Sequence, residues 1–251
     1  MLETVALLLA SIRGALRLGA PARAVLRGVV SRQILFTGVE AIPLVALIGA
    51  VVGVLIIVQS ASSLPDFGQS ELMCRLLVFF ILKELGPILV AFVVAARSGA
   101  AIAAELGTMT VRGEIDGLCG VGVDPLAYLV FPRVTGVAVA VASLTVVFNV
   151  TAFIAGFGFA AASRTSLSFG GLVTTLFHAM TVGDVVLSIV KSLALGTAIA
   201  GVCARYGLSA ARATTDIPRV TLRAIVATLL ACVLIEVILT VVTTDFSEIV
   251  G

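Results

Sequence analysis

The chain has 251 residues, 60% hydrophobic and only 12% charged, with a mean hydropathy of +1.23. A globular surface needs far more polar cover, so an ordinary soluble domain is excluded and a polytopic membrane protein is expected. The formal net charge of +2 gives no reason to expect nucleic acid as a partner. Lys83 and Lys191 are the only lysines and neither follows a glycine, so the phosphate-cradling G-x-x-x-x-G-K-[ST] loop is absent and no ATP hydrolysis by that route is expected.

Taken in chain order, residues 1–37 read as two helical pieces divided at Gly19 to Pro21. The apolar run Leu2 to Ala10 precedes the arginines, whereas a secretory signal places positive charge first, so no signal peptide is expected. In the second piece Val25, Leu26, Val29, Val30 and Ile34 fall at helical spacing while Arg23 and Arg27 stack four apart on another face. That pattern predicts a helix lying in the membrane surface with its arginines among the headgroups.

Five later segments reach the roughly 20 apolar residues that a spanning helix needs: about 41–61, 72–96, 134–162, 185–204 and 220–244. No internal repeat, low-complexity tract or linker is visible. The chain therefore reads as one domain over 1–251, an interfacial region over 1–37 followed by five spans over 38–251. The segments before the first span, between the second and third, and between the fourth and fifth hold eleven arginines, Arg13, Arg112 and Arg212 among them; the opposite segments hold only Arg164. The positive-inside rule then predicts a cytoplasmic N-terminus and an outer C-terminus. Cys74, Cys119, Cys203 and Cys232 are scattered singly and are expected to be buried, inert thiols.

The residues that invite a function are the charges inside these apolar runs, because charge at that depth is costly and usually serves one. Lys83 and Glu84 lie about 100° apart around a helix, so they cannot both point into one cavity. Counted from the outer span ends, Glu84 and Lys191 lie at overlapping depths, about 20 and 10 Å in with errors of several residues, so an ion pair between them is geometrically open. Gly86-Pro87 is expected to bend the helix and release a backbone carbonyl. Arg97 and Glu105, about 80° apart across a run of small residues, are placed to face one cytoplasmic-side cleft; otherwise Arg97 is an interfacial anchor.

Between the second and third spans, Met109, Val111, Ile115 and Leu118 supply apolar positions and Arg112, Glu114 and Asp116 supply charge. This predicts a short amphipathic helix ended by Gly120 and Gly122, suited to docking on a soluble partner. Asp124-Pro125 then reads as the start of the next helix, Asp as N-cap and Pro at the first position.

In order and spacing, Glu84-Leu85-Gly86-Pro87, Ala96-Arg97-Ser98-Gly99-Ala100, Ala104-Glu105-Leu106-Gly107-Thr108-Met109, Glu114-Ile115-Asp116-Gly117-Leu118, Asp124-Pro125 and Pro132-Arg133 resemble the MlaE/YrbE-type permeases of MCE lipid-transport systems. The resemblance implies an all-α integral membrane protein with an N-terminal interfacial amphipathic helix, five transmembrane helices and a cytoplasmic coupling helix between the second and third. It also implies a homodimer in the cell inner membrane, two cytoplasmic ATPase subunits that bind ATP and Mg, and a periplasmic MCE-domain partner forming a hexameric ring. The cargo it implies is phospholipid, and the segment around Glu114 to Leu118 would be the coupling helix. Family members often carry Glu-Gln where this chain has Gly113-Glu114, so a shorter or looser coupling helix is expected here.

Two other classes compete with that reading. An intramembrane serine protease built on Ser98 and His178 fails on geometry, because the expected topology puts roughly 30 Å of hydrocarbon between them. An ion-coupled secondary transporter using Lys83, Glu84, Lys191 and Glu236 would need a structural repeat, and none is visible.

Overall fold

The computed structural model describes residues 2–16, 20–63, 78–162, 174, 178, 180–210 and 214–250. Among them there is no strand, and five helices are long and apolar enough to cross a membrane: Gly28–Gln59, Phe79–Val111, Leu126–Ala162, Val182–Leu208 and Ile217–Thr243. These are called the first to fifth spans. Because the spans alternate in direction, the first, third and fifth begin at the end where the second and fourth finish, here called the arginine end.

Each span is longer than the hydropathy predicts, and in four of them a proline marks a change of helical winding within the span or at its start. Pro43, Pro87, Pro132 and Pro218 each occupy the second residue of an α-helical segment, Ile42–Ser63, Gly86–Val94, Phe131–Ala162 and Ile217–Val250 respectively. A proline has no N–H to give the carbonyl four residues back, which is harmless to the new helix in its first turn but frees a carbonyl in the turn before. The preceding turn winds differently in all four places: 3-10 at Val39–Ala41 and Thr214–Asp216, π at Val78–Leu85 and Leu126–Val130. At the first of these the Ile42 N–H bonds the Val39 carbonyl that Pro43 leaves free.

The expected boundary at residue 38 is therefore not a break in the chain's course. The helix Ala20–Gly38 passes through the 3-10 turn into the helix Ile42–Ser63, so that the first span begins within it at Gly28; Leu26 is buried, and the helix lies along the third span. The expected division at Gly19 to Pro21 falls partly on residues outside those described. The N-terminal helix Leu2–Leu16 packs on the π-helical start of the third span and on the fourth span, burying Thr4 and Ser11. Arg205 pairs with Glu3 there.

The third and fourth spans form the centre, with 50% and 56% of their most apolar windows buried, against 28% and 22% for the first and fifth. Small residues bring the helices together. Gly53 lies so close to Ala152 on the third span that any side chain would strike the Ala152 backbone, and a Cβ at Gly196 would lie 2.6 Å from Ala138 Cα. Over residues 42–58 of the first span and 224–242 of the fifth the outer faces are apolar, as at Leu47, Leu55, Leu230 and Ile238.

Two expectations need correction. The second span does not end near residue 96 but runs to Val111, with Arg97 and Glu105 each paired to a charge on a neighbouring span; its expected start at 72 lies outside the described residues. The cysteines are not uniformly buried: Cys203 and Cys232 are, but Cys119 is exposed on a short helix away from the core, and Cys74 lies outside the described residues.

Candidate functional site

The second span changes from π-helix to α-helix at Gly86, and that change builds the most heavily charged site in the bundle. At α-helical spacing the Lys83 carbonyl would accept the N–H of residue 87, which proline lacks. Lys191 of the fourth span supplies the missing donor, its Nζ lying 2.9 Å from the Lys83 carbonyl oxygen. The same ammonium donates to Glu84 Oε1 at 3.1 Å, Glu236 Oε1 at 3.0 Å and Thr240 Oγ1 at 2.9 Å. Four acceptors thus share three N–H bonds on a side chain with 0% exposure. Thr240 bridges back to both carboxylate oxygens of Glu84, at 3.2 and 3.0 Å.

This cluster ties the second, fourth and fifth spans together through one buried cation. Lys83, turned away from Glu84 around the helix, pairs instead with Asp184 at 2.7 Å. Asp184 also accepts the Thr181 N–H at 3.0 Å in a capping box that starts the fourth span. Asn149 of the third span reaches the Gly86 backbone, where a Cβ would lie 2.5 Å from its Oδ1. Two acceptors in this neighbourhood, Asn149 Oδ1 and Glu236 Oε2, are buried without a hydrogen-bond partner among the described residues.

Nearer the arginine end the charges pair differently. Arg97, in a second π-helical turn over Ala95–Gly99, pairs with Glu40 and stacks over Phe36 at 5.2 Å. Glu105, two turns further along, pairs with Arg133 of the third span at 2.9 Å. The two residues therefore have separate partners, although Phe36 and Glu105 line one cavity.

The connection between the second and third spans breaks where the expected helix should begin. Met109 belongs to the second span and packs against its core, while Arg112 caps the helix. Gly113 then takes φ 72°, a left-handed conformation that suits glycine. The helix that follows is Glu114–Gly120, seven residues, none of them buried, so Ile115, Asp116 and Leu118 stand on a projecting turn. Arg112 lies 3.8 Å from Glu114 across the break. Asp124 and Pro125 start the third span as the residue types predict, with the Leu126 N–H donating to Asp124 Oδ1 at 3.0 Å.

Ser98, the candidate nucleophile of the protease reading, is fully buried and its Oγ has no partner among the described residues, while His178 is exposed.

A sequence model described as permease MlaE matches residues 30–242, a stretch that takes in nearly all of the five spans. The chain belongs to the MlaE permease family. It is 29% identical to a probable ABC transporter permease protein of Rickettsia felis over 195 residues, 78% of this chain and 75% of that one. A probable ABC transporter permease protein of Synechocystis is 30% identical over 204 residues, 79% and 75% of the two chains. The chloroplastic protein trigalactosyldiacylglycerol 1 of Arabidopsis thaliana is 26% identical over 208 residues, 83% and 59% of the two chains.

Within this MlaE-family chain, sequence reasoning missed five partners of the singled-out charges: Glu40, Arg133, Asp184, Glu236 and Thr240. Two carried a legible signal. Thr181 with Asp184 three residues on is a capping-box spacing, and Glu236 is the one acid in the fifth apolar run, so it needed a buried cation. Glu40 and Arg133 sit at predicted span ends and gave no such sign.

Proposed function

We propose that the chain is the membrane subunit of an ATP-driven phospholipid transporter, working as a homodimer with two cytoplasmic ATPase subunits and a periplasmic MCE-domain partner. ATP and Mg would be bound by the ATPase, and the arginine end would face the cytoplasm of a cell whose inner membrane holds the complex. The observation that carries this reading is the projecting helix Glu114–Gly120. It is held at the arginine end between two spans, offers Ile115 and Leu118 beside Glu114 and Asp116, and buries none of them in its own chain. A helix so placed suits docking into a soluble subunit that hydrolyses ATP. The lipid cargo is supported by the Arabidopsis relative, whose name is that of a glycolipid. The Lys191 cluster adds a polar station within the bundle, where a headgroup would find both cations and acceptors.

The ion-coupled alternative draws on the same titratable groups, Lys83, Glu84, Lys191 and Glu236. It is the weaker reading, because relatives across 75% of their length are named ABC transporter permeases.

Co-purification with the cognate ATPase tests the docking surface. Replacing Glu114 and Asp116 with lysine is expected to weaken association and stimulated ATP hydrolysis while leaving membrane insertion intact; wild-type yield and turnover would place docking elsewhere. The orientation has its own test: a cysteine introduced near Thr214 is expected to be protected from an impermeant thiol reagent in intact cells and one near Ser247 to react. The reverse labelling would overturn it.

A further inference from the structure

A cavity of about 420 Å³ opens at the arginine end between the helix Ala20–Gly38, the second span and the start of the third. Its size lies within the roughly 300–1,000 Å³ of small-molecule sites. The walls are of two kinds. Val29, Phe36, Ile102 and Leu129 make an apolar side, and Phe36 is 42% exposed at the rim, so that side opens toward the outside of the bundle. Arg32, Gln33, Tyr128, Glu105 and Arg133 make a polar side.

The polar side has unspent hydrogen-bonding capacity. Arg133 is buried and committed to Glu105 and, at 3.4 Å, to the Leu129 carbonyl, so it forms a fixed floor. Arg32 is exposed and has no ion-pair partner among the described residues. Gln33 uses one N–H on Thr37 at 3.0 Å, leaving its carbonyl oxygen available as an acceptor. Behind Phe36, outside the cavity lining itself, Arg97 lies over the Phe36 ring with Nη1 buried and without a hydrogen-bond partner among the described residues. A planar guanidinium with free donors matches the oxygens of a phosphate, while Glu105 and the Gln33 carbonyl match hydroxyl or ammonium hydrogens.

We infer that this cavity seats a glycerophospholipid from the arginine-end leaflet. Its phosphate would be held by Arg32 with Tyr128, its headgroup hydroxyl or ammonium would be received by Glu105, and its acyl chains would leave over Phe36 and Val29. From Glu84 to Glu105 the second span rises about 30 Å at 1.5 Å per residue, so this is a second station, far from the Lys191 cluster. Close packing preserves it: a Cβ at Gly136 of the third span would lie 2.7 Å from Gln33 Cβ and Cγ, driving the N-terminal wall outward. The inference borrows lipid as a ligand class from the proposed function but does not require transport.

The test is binding of dioctanoyl phosphatidylglycerol to the purified full-length chain in detergent, without ATPase, with inorganic phosphate and dioctanoylglycerol as comparison probes. The wild-type chain is expected to bind the phosphatidylglycerol at least tenfold more tightly than either. Arg32→Gln, at an exposed position, is expected to weaken it about tenfold with unchanged melting temperature, and Ala101→Phe, which fills the cavity, to abolish it. If Ala101→Phe fails to fold, Arg32→Gln alone decides. Unchanged affinity in Arg32→Gln, equal binding of dioctanoylglycerol, or full displacement by equimolar phosphate would each overturn the inference. Because no transport is read, a failed transport assay bears on the proposed function and not on this site.

Discussion

The two ends of the second span carry the same kinds of side chain in different settings. Toward the end opposite the arginines, Lys191 is wholly buried and shared among Glu84, Glu236, Thr240 and a backbone carbonyl on two neighbouring helices. Nearer the arginine end, Arg97–Glu40 and Arg133–Glu105 are one-to-one pairs whose carboxylates are 58% and 62% exposed. Burial decides what each arrangement does. A buried cation with several partners is costly to form but far costlier to break, so it fixes helix position. Pairs with an open carboxylate contribute only about 0–1 kcal/mol and leave donors and acceptors for a ligand.

That difference is exposed most sharply by Lys191→Ala, which strands Glu84 and Glu236 without their cation. Loss of about 3–5 kcal/mol is expected in an unfolding titration of the purified chain. A loss below 1 kcal/mol would mean that water already serves the cluster. Next in size is the contact between the first and third spans: Gly53→Val is expected to cost about 1–3 kcal/mol by forcing the first span off Ala152, read as reduced folded yield and earlier unfolding. A double-mutant cycle with Glu84→Gln and Lys191→Met refines the first result. Coupling well above 0.5 kcal/mol is expected, and additivity within that limit would dissolve the pair. At the other end, Glu105→Gln is expected to shift stability by about 1 kcal/mol or less. A shift of the Lys191→Ala size would erase the contrast between the ends.

The same contrast marks what was legible in the sequence. Lys83, Glu84 and Lys191 stood out because they interrupt apolar runs, and Gly86-Pro87 announced a freed carbonyl; the structure supplies its acceptor role by placing Lys191 Nζ against Lys83. The count of five spans followed from hydropathy, which reports burial in lipid. Helix ends did not, because hydropathy falls where partnered arginines begin, while the helices continue through Arg97 to Val111 and back from Phe131 to Leu126. The cavity was illegible for a related reason. Its walls come from residues about 28–36, 101–105 and 128–133, stretches far apart in the sequence, and the first of these meets the third only because the helix Ala20–Gly38 packs along the third span.

In the proposed function this chain moves phospholipid when an ATPase drives it. Co-reconstitution of the full chain with its cognate ATPase in vesicles, with fluorescent phospholipid movement followed at constant pH and no ion gradient, tests it directly. ATP-dependent movement that stops when the ATPase is omitted is the predicted result. Movement that ignores ATP and instead follows an imposed proton gradient would contradict the claim and favour ion coupling through the Lys191 cluster.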